Sequence, residues 1–218
     1  AIGSKYKNKH LGTIGDIGTF SLRSEKMIGI GEGGVVVTNN SSLFDKMIKL
    51  ASRSAPFRSS DSPYWEKYFY DGEGYNYRLP HLLGAVARGQ IERFPEILIQ
   101  KKRVGETFRA IFKNNKHWEL QSHTENSEPV YWLNTILFKN TEKNKIRELG
   151  TYLMSKGIEV RSGFWPLSDM AGFNSESFGL QTNGHNIFDY LLVLPSASSL
   201  QEKDIQYFYE TICTFLET

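Results

Sequence analysis

The chain has one cysteine, Cys213, so no disulfide can form within it. The place of that residue among apolar neighbours of an expected helix predicts a buried thiol. An apolar run of the about 18 residues that would span a membrane is also missing, and residues 1–16 hold no apolar run of signal-peptide length. The expectation is a soluble, cytoplasmic protein with no membrane partner. Charge of one sign is lacking too. Lys and Arg number 26 against 24 Asp and Glu, a formal net charge of +2, and the two signs are interleaved, so nucleic acid is not implied as a partner. The five histidines show no metal-ligand spacing and do not pair with cysteine, so no metal is expected. Low-complexity tracts and internal repeats are absent, and aromatic residues make up 13% of the chain; the chain should fold throughout. Its 218 residues give room for a substantial core, or for one full domain plus part of another.

What is there is organised around residues 15–38, GDIGTFSLRSEKMIGIGEGGVVVT. A run with a β-branched and aromatic bias, 17–22, gives way to a charged turn, a glycine cluster and then the strand-like Val35, Val36, Val37 and Thr38. This order puts Lys26 on a turn between two strands, where its amine can enter a cleft rather than lie along a solvated helix face. Ser21 stands at the end of the first strand. Gly29, Gly31 and Gly34 spell G-x-G-x-x-G, but the dinucleotide fingerprint needs a helix to begin at the glycines so that its N-terminus can hold a pyrophosphate. Here β-prone residues follow, and the cluster reads as a tight turn with close backbone approach.

Taken whole, the string resembles the pyridoxal 5′-phosphate (PLP)-dependent sugar aminotransferases of the DegT/StrS family, with Gly15, Asp16, Gly18, Phe20, Ser21, Lys26, Gly31, Glu32, Gly33, Gly34, Val36 and Thr38 in place. An isolated lysine is ordinarily a solvated surface charge; so many matches at fixed spacing override that reading. The resemblance implies that PLP is the cofactor, that Lys26 is the Schiff-base lysine and catalyst, and that Ser21 holds the cofactor phosphate. Downstream, residues 74–79, GYNYRL, match the family's GYNYRM. By themselves Asn76 is a turn residue and Arg78 a surface charge. In the family the corresponding residues reach the partner's cofactor across a homodimer interface, and amide and guanidinium donors suit a phosphate. Residues 161–170, RSGFWPLSDM, resemble the GDP-perosamine synthase branch through Arg161, Phe164, Pro166 and Met170, with Ser168 where relatives often carry histidine. The segments Leu194-Pro195-Ser196 and Tyr131-Trp132 also resemble that branch. Substrate contacts are implied for Glu32, Arg161 and Trp165.

The rest of the pattern is α/β. A helix is expected over 41–52, capped by Ser41, with Leu43, Met47 and Leu50 on one face. A long loop over 54–71 follows, rich in serine and aromatics, read either as a surface lid or as a substrate-contacting segment. Two helices opened by proline run over 80–94 and 95–112, the first burying Leu83, Ala87, Ile91 and Phe94, the second Ile97, Val104, Phe108 and Ile111. Strands are expected at 118–121, 130–138 and 158–160. Thr141 is expected to cap a helix carrying Ile146, Leu149 and Leu153 that Gly157 ends, and Ser199 with Glu202 to form the capping box of a last helix. The resemblance implies the fold-type I PLP-dependent transferase fold: residues 1–105 would be the C-terminal part of the large mixed-sheet domain and 106–218 a small α/β domain. It covers nearly all of the chain, and the aspartate that pairs with the cofactor's pyridine nitrogen in the family would lie just before Ala1. The expectation is therefore roughly the C-terminal half or more of such an enzyme.

The implied activity moves an amino group from an amino acid, glutamate above all, to C4 of GDP-4-keto-6-deoxymannose, giving a perosamine-type sugar for cell-surface lipopolysaccharide O antigen. Alternatives remain open. A dTDP-keto-sugar 3-aminotransferase would keep every motif quoted. A related dehydratase carries histidine in place of the lysine, and Lys26 argues against it. A non-catalytic relative that binds PLP or a sugar nucleotide would be signalled by loss of Lys26, which is present.

Overall fold

The computed structural model describes residues 1–55, 61, 63–66, 68–170, 172, 184 and 187–217. They form two compact units, Ala1–Glu96 with Asn126–Glu128, and Ile97–Glu125 with Pro129–Thr218.

The first unit opens with a small hairpin. Strands β1 (Lys5–Tyr6) and β2 (Lys9–His10) are joined by Lys7 and Asn8, both at positive φ, which is the turn that matches strand twist. The other edge of β1 pairs with β6 (Ser127–Glu128). Next come β3 (Gly18–Ser21) and β4 (Gly34–Val37), antiparallel, with Ser21 opposite Gly34. The glycine cluster thus leads into a strand, as its β-prone sequel requires. Helix α1 (Ser41–Ala51) is capped by Asn40, not Ser41: the Asn40 Oδ1 accepts from the Leu43 N–H at 3.1 Å. No residue of α1 is fully buried, and Leu50 is exposed. The expected loop over 54–71 lies partly outside the described residues and includes a 3-10 turn at Tyr64–Glu66. Helix α2 (His81–Glu92) starts after Pro80. Its Ala87 joins Leu22, Ile28 and Ile30 in a small core, with Leu83 and Phe94 packed against it; Ile91, expected on that face, is exposed.

Helix α3 (Phe94–Phe112) carries the chain into the second unit. There a fully antiparallel sheet has the order β5 (Trp118–Leu120), β7 (Asn134–Phe138), β9 (Leu191–Leu194), β8 (Arg161–Ser162). Along β7, Asn134, Ile136 and Phe138 are buried and the residues between them are not, the period of two that turns one face to a core. Helices α3, α4 (Lys143–Ser155) and α5 (Glu202–Leu216) complete that core with Val104, Phe108, Phe112, Leu149, Leu153, Ile205 and Ile212.

Four further local expectations are corrected. The strand expected at 158–160 is instead β8, because Ile158 is buried in the core as a loop residue and the ladder with β9 begins only at Arg161. Thr141 does not cap α4; Glu142 stands at that position with no side-chain bond. The capping box of α5 is formed by Gln201 and Asp204, two residues further on than Ser199 and Glu202. Cys213 is half-buried rather than fully buried.

Candidate active site

Lys26 sits on the loop that returns β3 to β4. Backbone bonds from Leu22 N–H to Gly33 O (3.0 Å), Ile30 N–H to Leu22 O (2.9 Å), Ser24 N–H to Gly31 O (2.9 Å) and Lys26 N–H to Arg23 O (2.9 Å) fold the loop on itself. Leu22, Ile28 and Ile30 anchor it in the core, and the close approach demands glycine at 29, where a Cβ would lie 2.4 Å from the Ser24 carbonyl oxygen. The lysine is therefore held between anchored residues, with its side chain 25% exposed. Its Nζ lies 3.7 Å from the Glu25 carboxylate, and Arg23 reaches Glu25 and Glu32 at 3.5 Å each. Glu25 is held below the usual carboxylate range by its own backbone N–H and then by the charges of Arg23 and Lys26.

Ser21, at the head of the same loop, accepts from the Arg23 N–H at 3.3 Å, which leaves its hydroxyl proton for an anion. Asn76 bridges to Ser52, and its Oδ1 accepts from Arg78 Nε at 2.9 Å. That bond fixes the amide so that its NH2 and the remaining guanidinium N–H groups stay available as donors. The structure thus brings Ser21, Lys26 and Glu32 together on one hairpin loop and couples Asn76 to Arg78. Arg161 and Trp165 belong to the second unit: Arg161 is exposed on β8 and pairs with Glu159 at 3.2 Å, and Trp165 packs on Phe188 with ring centroids 4.2 Å apart. Sequence reasoning missed Arg23 and Glu25, because the ion pairs around Lys26 depend on how the loop folds back and leave no mark in residue order.

An amine on a fixed turn with a hydroxyl at the strand end suits the aldehyde carbon and the phosphate of PLP, and the amide paired with a guanidinium is a separate set of donors that suits a phosphate.

The sequence pattern of the DegT/DnrJ/EryC1/StrS aminotransferase family matches residues 1–213. The chain is 33% identical over 217 residues to the GDP-perosamine synthase of Escherichia coli O157:H7, covering 99% of this chain and 56% of that protein. To the GDP-perosamine synthase of Vibrio cholerae it is 32% identical over 168 residues, 76% of this chain and 43% of the other. Among solved structures, the Helicobacter pylori aminotransferase PseC, involved in the biosynthesis of pseudoaminic acid, superposes with a TM-score of 0.89 at 22% identity, over 100% of this chain and 57% of that one. That likeness shows the α/β fold. The chain spans about half the length of the curated relatives it matches.

Proposed function

Since the chain belongs to the DegT/DnrJ/EryC1/StrS aminotransferase family, we propose that it carries the catalytic lysine of a PLP-dependent enzyme moving an amino group from glutamate to C4 of GDP-4-keto-6-deoxymannose. The observation that carries the reading is the Lys26 loop, a half-buried amine clamped by Leu22, Ile28 and Ile30, with the Ser21 hydroxyl at its head. PLP, when bound, supplies an aldehyde carbon that accepts the amine and a ring that stabilises the neighbouring carbanion. Lys26 Nζ would hold the group through its aldehyde carbon and, as a free amine, would be the base placed to take a proton at the donor's α-carbon. Ser21 holds the phosphate from the side of its own loop. Asn76 and Arg78 hold the phosphate of a second copy, so the active site is shared across a homodimer. Glu32, Arg161 and Trp165 bind substrate. The amino sugar is destined for cell-surface polysaccharide and the reaction takes place in the cytoplasm.

The test is to incubate the full-length protein with PLP, glutamate and a panel of GDP- and dTDP-linked keto sugars, and to identify products by mass and NMR. A 4-amino GDP sugar is expected. A 3-amino dTDP sugar would instead establish the alternative branch, and no amino sugar from any substrate would overturn the reading.

A further inference from the structure

Behind the Asn76 segment lies a second built feature. Helix α1 ends in two consecutive left-handed residues, Arg53 at φ 65° and Ser54 at φ 55°. Neither is a residue type that favours that region, and such strain persists only where surrounding bonds over-determine it. They do so here. Arg53 N–H donates to Tyr75 O (2.8 Å), Ser54 N–H to Lys49 O (2.8 Å), Asp71 N–H to Ser54 O (3.0 Å) and Tyr77 N–H to Ala51 O (3.0 Å). The fully buried Ser54 donates its hydroxyl to Asp71 Oδ1 at 2.8 Å, and Lys49 Nζ holds the other Asp71 oxygen at 2.8 Å. Gly74 permits the closeness, since a Cβ there would lie 2.4 Å from Ser54 N.

The result is a shallow surface depression, open to solvent, of about 600 Å³ and lined by Arg53, Tyr70, Glu73, Tyr75 and Asn76. Tyr75 is braced by Tyr77, their rings parallel within 7° and 5.0 Å apart. Three chemistries converge. A guanidinium recognises phosphate oxygens; a carboxylate accepts from a vicinal diol, as acidic residues do from ribose in nucleotide sites; and tyrosine faces stack on a flat heterocycle. PLP offers a ring and a phosphate but no diol. A nucleoside diphosphate answers all three.

We propose that this depression takes the nucleoside diphosphate of the sugar substrate, with Arg53 on the phosphates, Glu73 on the ribose hydroxyls and Tyr75 against the base. This rests on the nucleotide-sugar reading above and adds the residues that read the nucleotide.

The test titrates GDP and 2′,3′-dideoxy-GDP calorimetrically into the full-length, PLP-loaded protein and its Arg53→Asn and Glu73→Gln variants. Asparagine tolerates the left-handed backbone, and Glu73 is exposed, so both variants keep the fold. Arg53→Asn should weaken GDP by at least about tenfold, and Glu73→Gln should abolish the preference for GDP over the dideoxy form. The visible absorbance of Lys26-bound PLP should stay unchanged in both. Unaltered GDP affinity and preference in the two variants would overturn the assignment. So would an Arg53→Asn protein that loses PLP yet keeps GDP, which would give the depression to the cofactor. A wild-type protein that holds PLP on Lys26 but binds no GDP sinks this inference alone. Absence of any PLP on Lys26 sinks the aminotransferase reading, and the GDP titration still decides the assignment of the depression.

Discussion

At the scale of single residues, the Lys26 loop concentrates the consequences. Borohydride reduction of the PLP-loaded full-length protein, followed by peptide mapping, should place the pyridoxyl group on Lys26; a label on another lysine would overturn the assignment of the catalyst. Gly29→Ala tests the clamp. The added methyl would meet the Ser24 and Lys26 carbonyl oxygens at 2.4 and 3.3 Å, so the loop must shift, at a cost of about 1–3 kcal/mol. The expected result is a lowered thermal midpoint with weakened PLP retention; unchanged retention would show that the lysine tolerates a displaced loop. The place of Ser21 at the end of β3 and of Lys26 on the loop after it was legible because a long string fixes their spacing. The N-cap of α1 was misplaced by one residue, since Asn40 and Ser41 are both good caps and only the backbone decides which stands before the first helical turn.

Among the elements, α3 uses its cations to hold the segment between β9 and α5. Lys101 Nζ donates to the Ser196 carbonyl, and Arg103 donates to the Leu200 carbonyl at 2.7 Å. Lys101 is buried, and burial lowers its pKa to about 8. The sign follows from linkage: between about 8 and the unfolded value near 10.4 the unfolded chain binds a proton that the folded chain does not, so stability rises with pH across that window. The contribution is fully present above the unfolded value and is lost as pH falls through about 8. Urea unfolding of the wild type and of Lys101→Met from pH 7 to 10.5 should show the wild type gaining on the variant as pH rises; a constant difference would show that Lys101 stays charged in the fold. This clamp was illegible in the sequence, because helical periodicity marks Val104 and Phe108 as core but reads a lysine as solvated. The displaced strand at β8 has a related cause. Ile158 and Val160 have the composition of a strand, and burial of Ile158 by the helices uses that composition without a ladder.

For the whole molecule, the two units differ in how much core each holds. In the second, three helices and the sheet bury one continuous cluster; in the first, among the described residues, the cluster consists of Leu22, Ile28, Ile30 and Ala87. Hydrogen exchange should therefore be slowest at Ile136 to Phe138 and Leu192 to Leu194, and faster across β3 and β4. Equal protection in both would mean that surfaces exposed here, such as Val36 and Leu82, are covered in the full-length protein. Sharing of the site is tested by mixing Lys26→Ala and Asn76→Ala subunits. A hybrid has one site with both wild-type residues, so activity should partly return, and no recovery in a mixture shown to form hybrids would count against a shared site.

The ring cluster of the second unit also makes the molecule a self-reporting optical system. Trp118 is buried, its Nε1–H donates to the Phe112 carbonyl at 3.0 Å, and Phe112, Phe138 and Tyr209 surround its indole, whereas Trp65 and Trp165 are 90% and 57% exposed. An indole shut away from water emits at shorter wavelength than one whose excited dipole the solvent can relax. The fluorescence of the folded chain is thus a sum of a blue component from Trp118, red components from Trp65 and Trp165 and an intermediate one from the half-buried Trp132, and iodide should quench the red ones first. Melting of the second unit would then appear as the disappearance of the blue shoulder, at a wavelength where the exposed tryptophans contribute least.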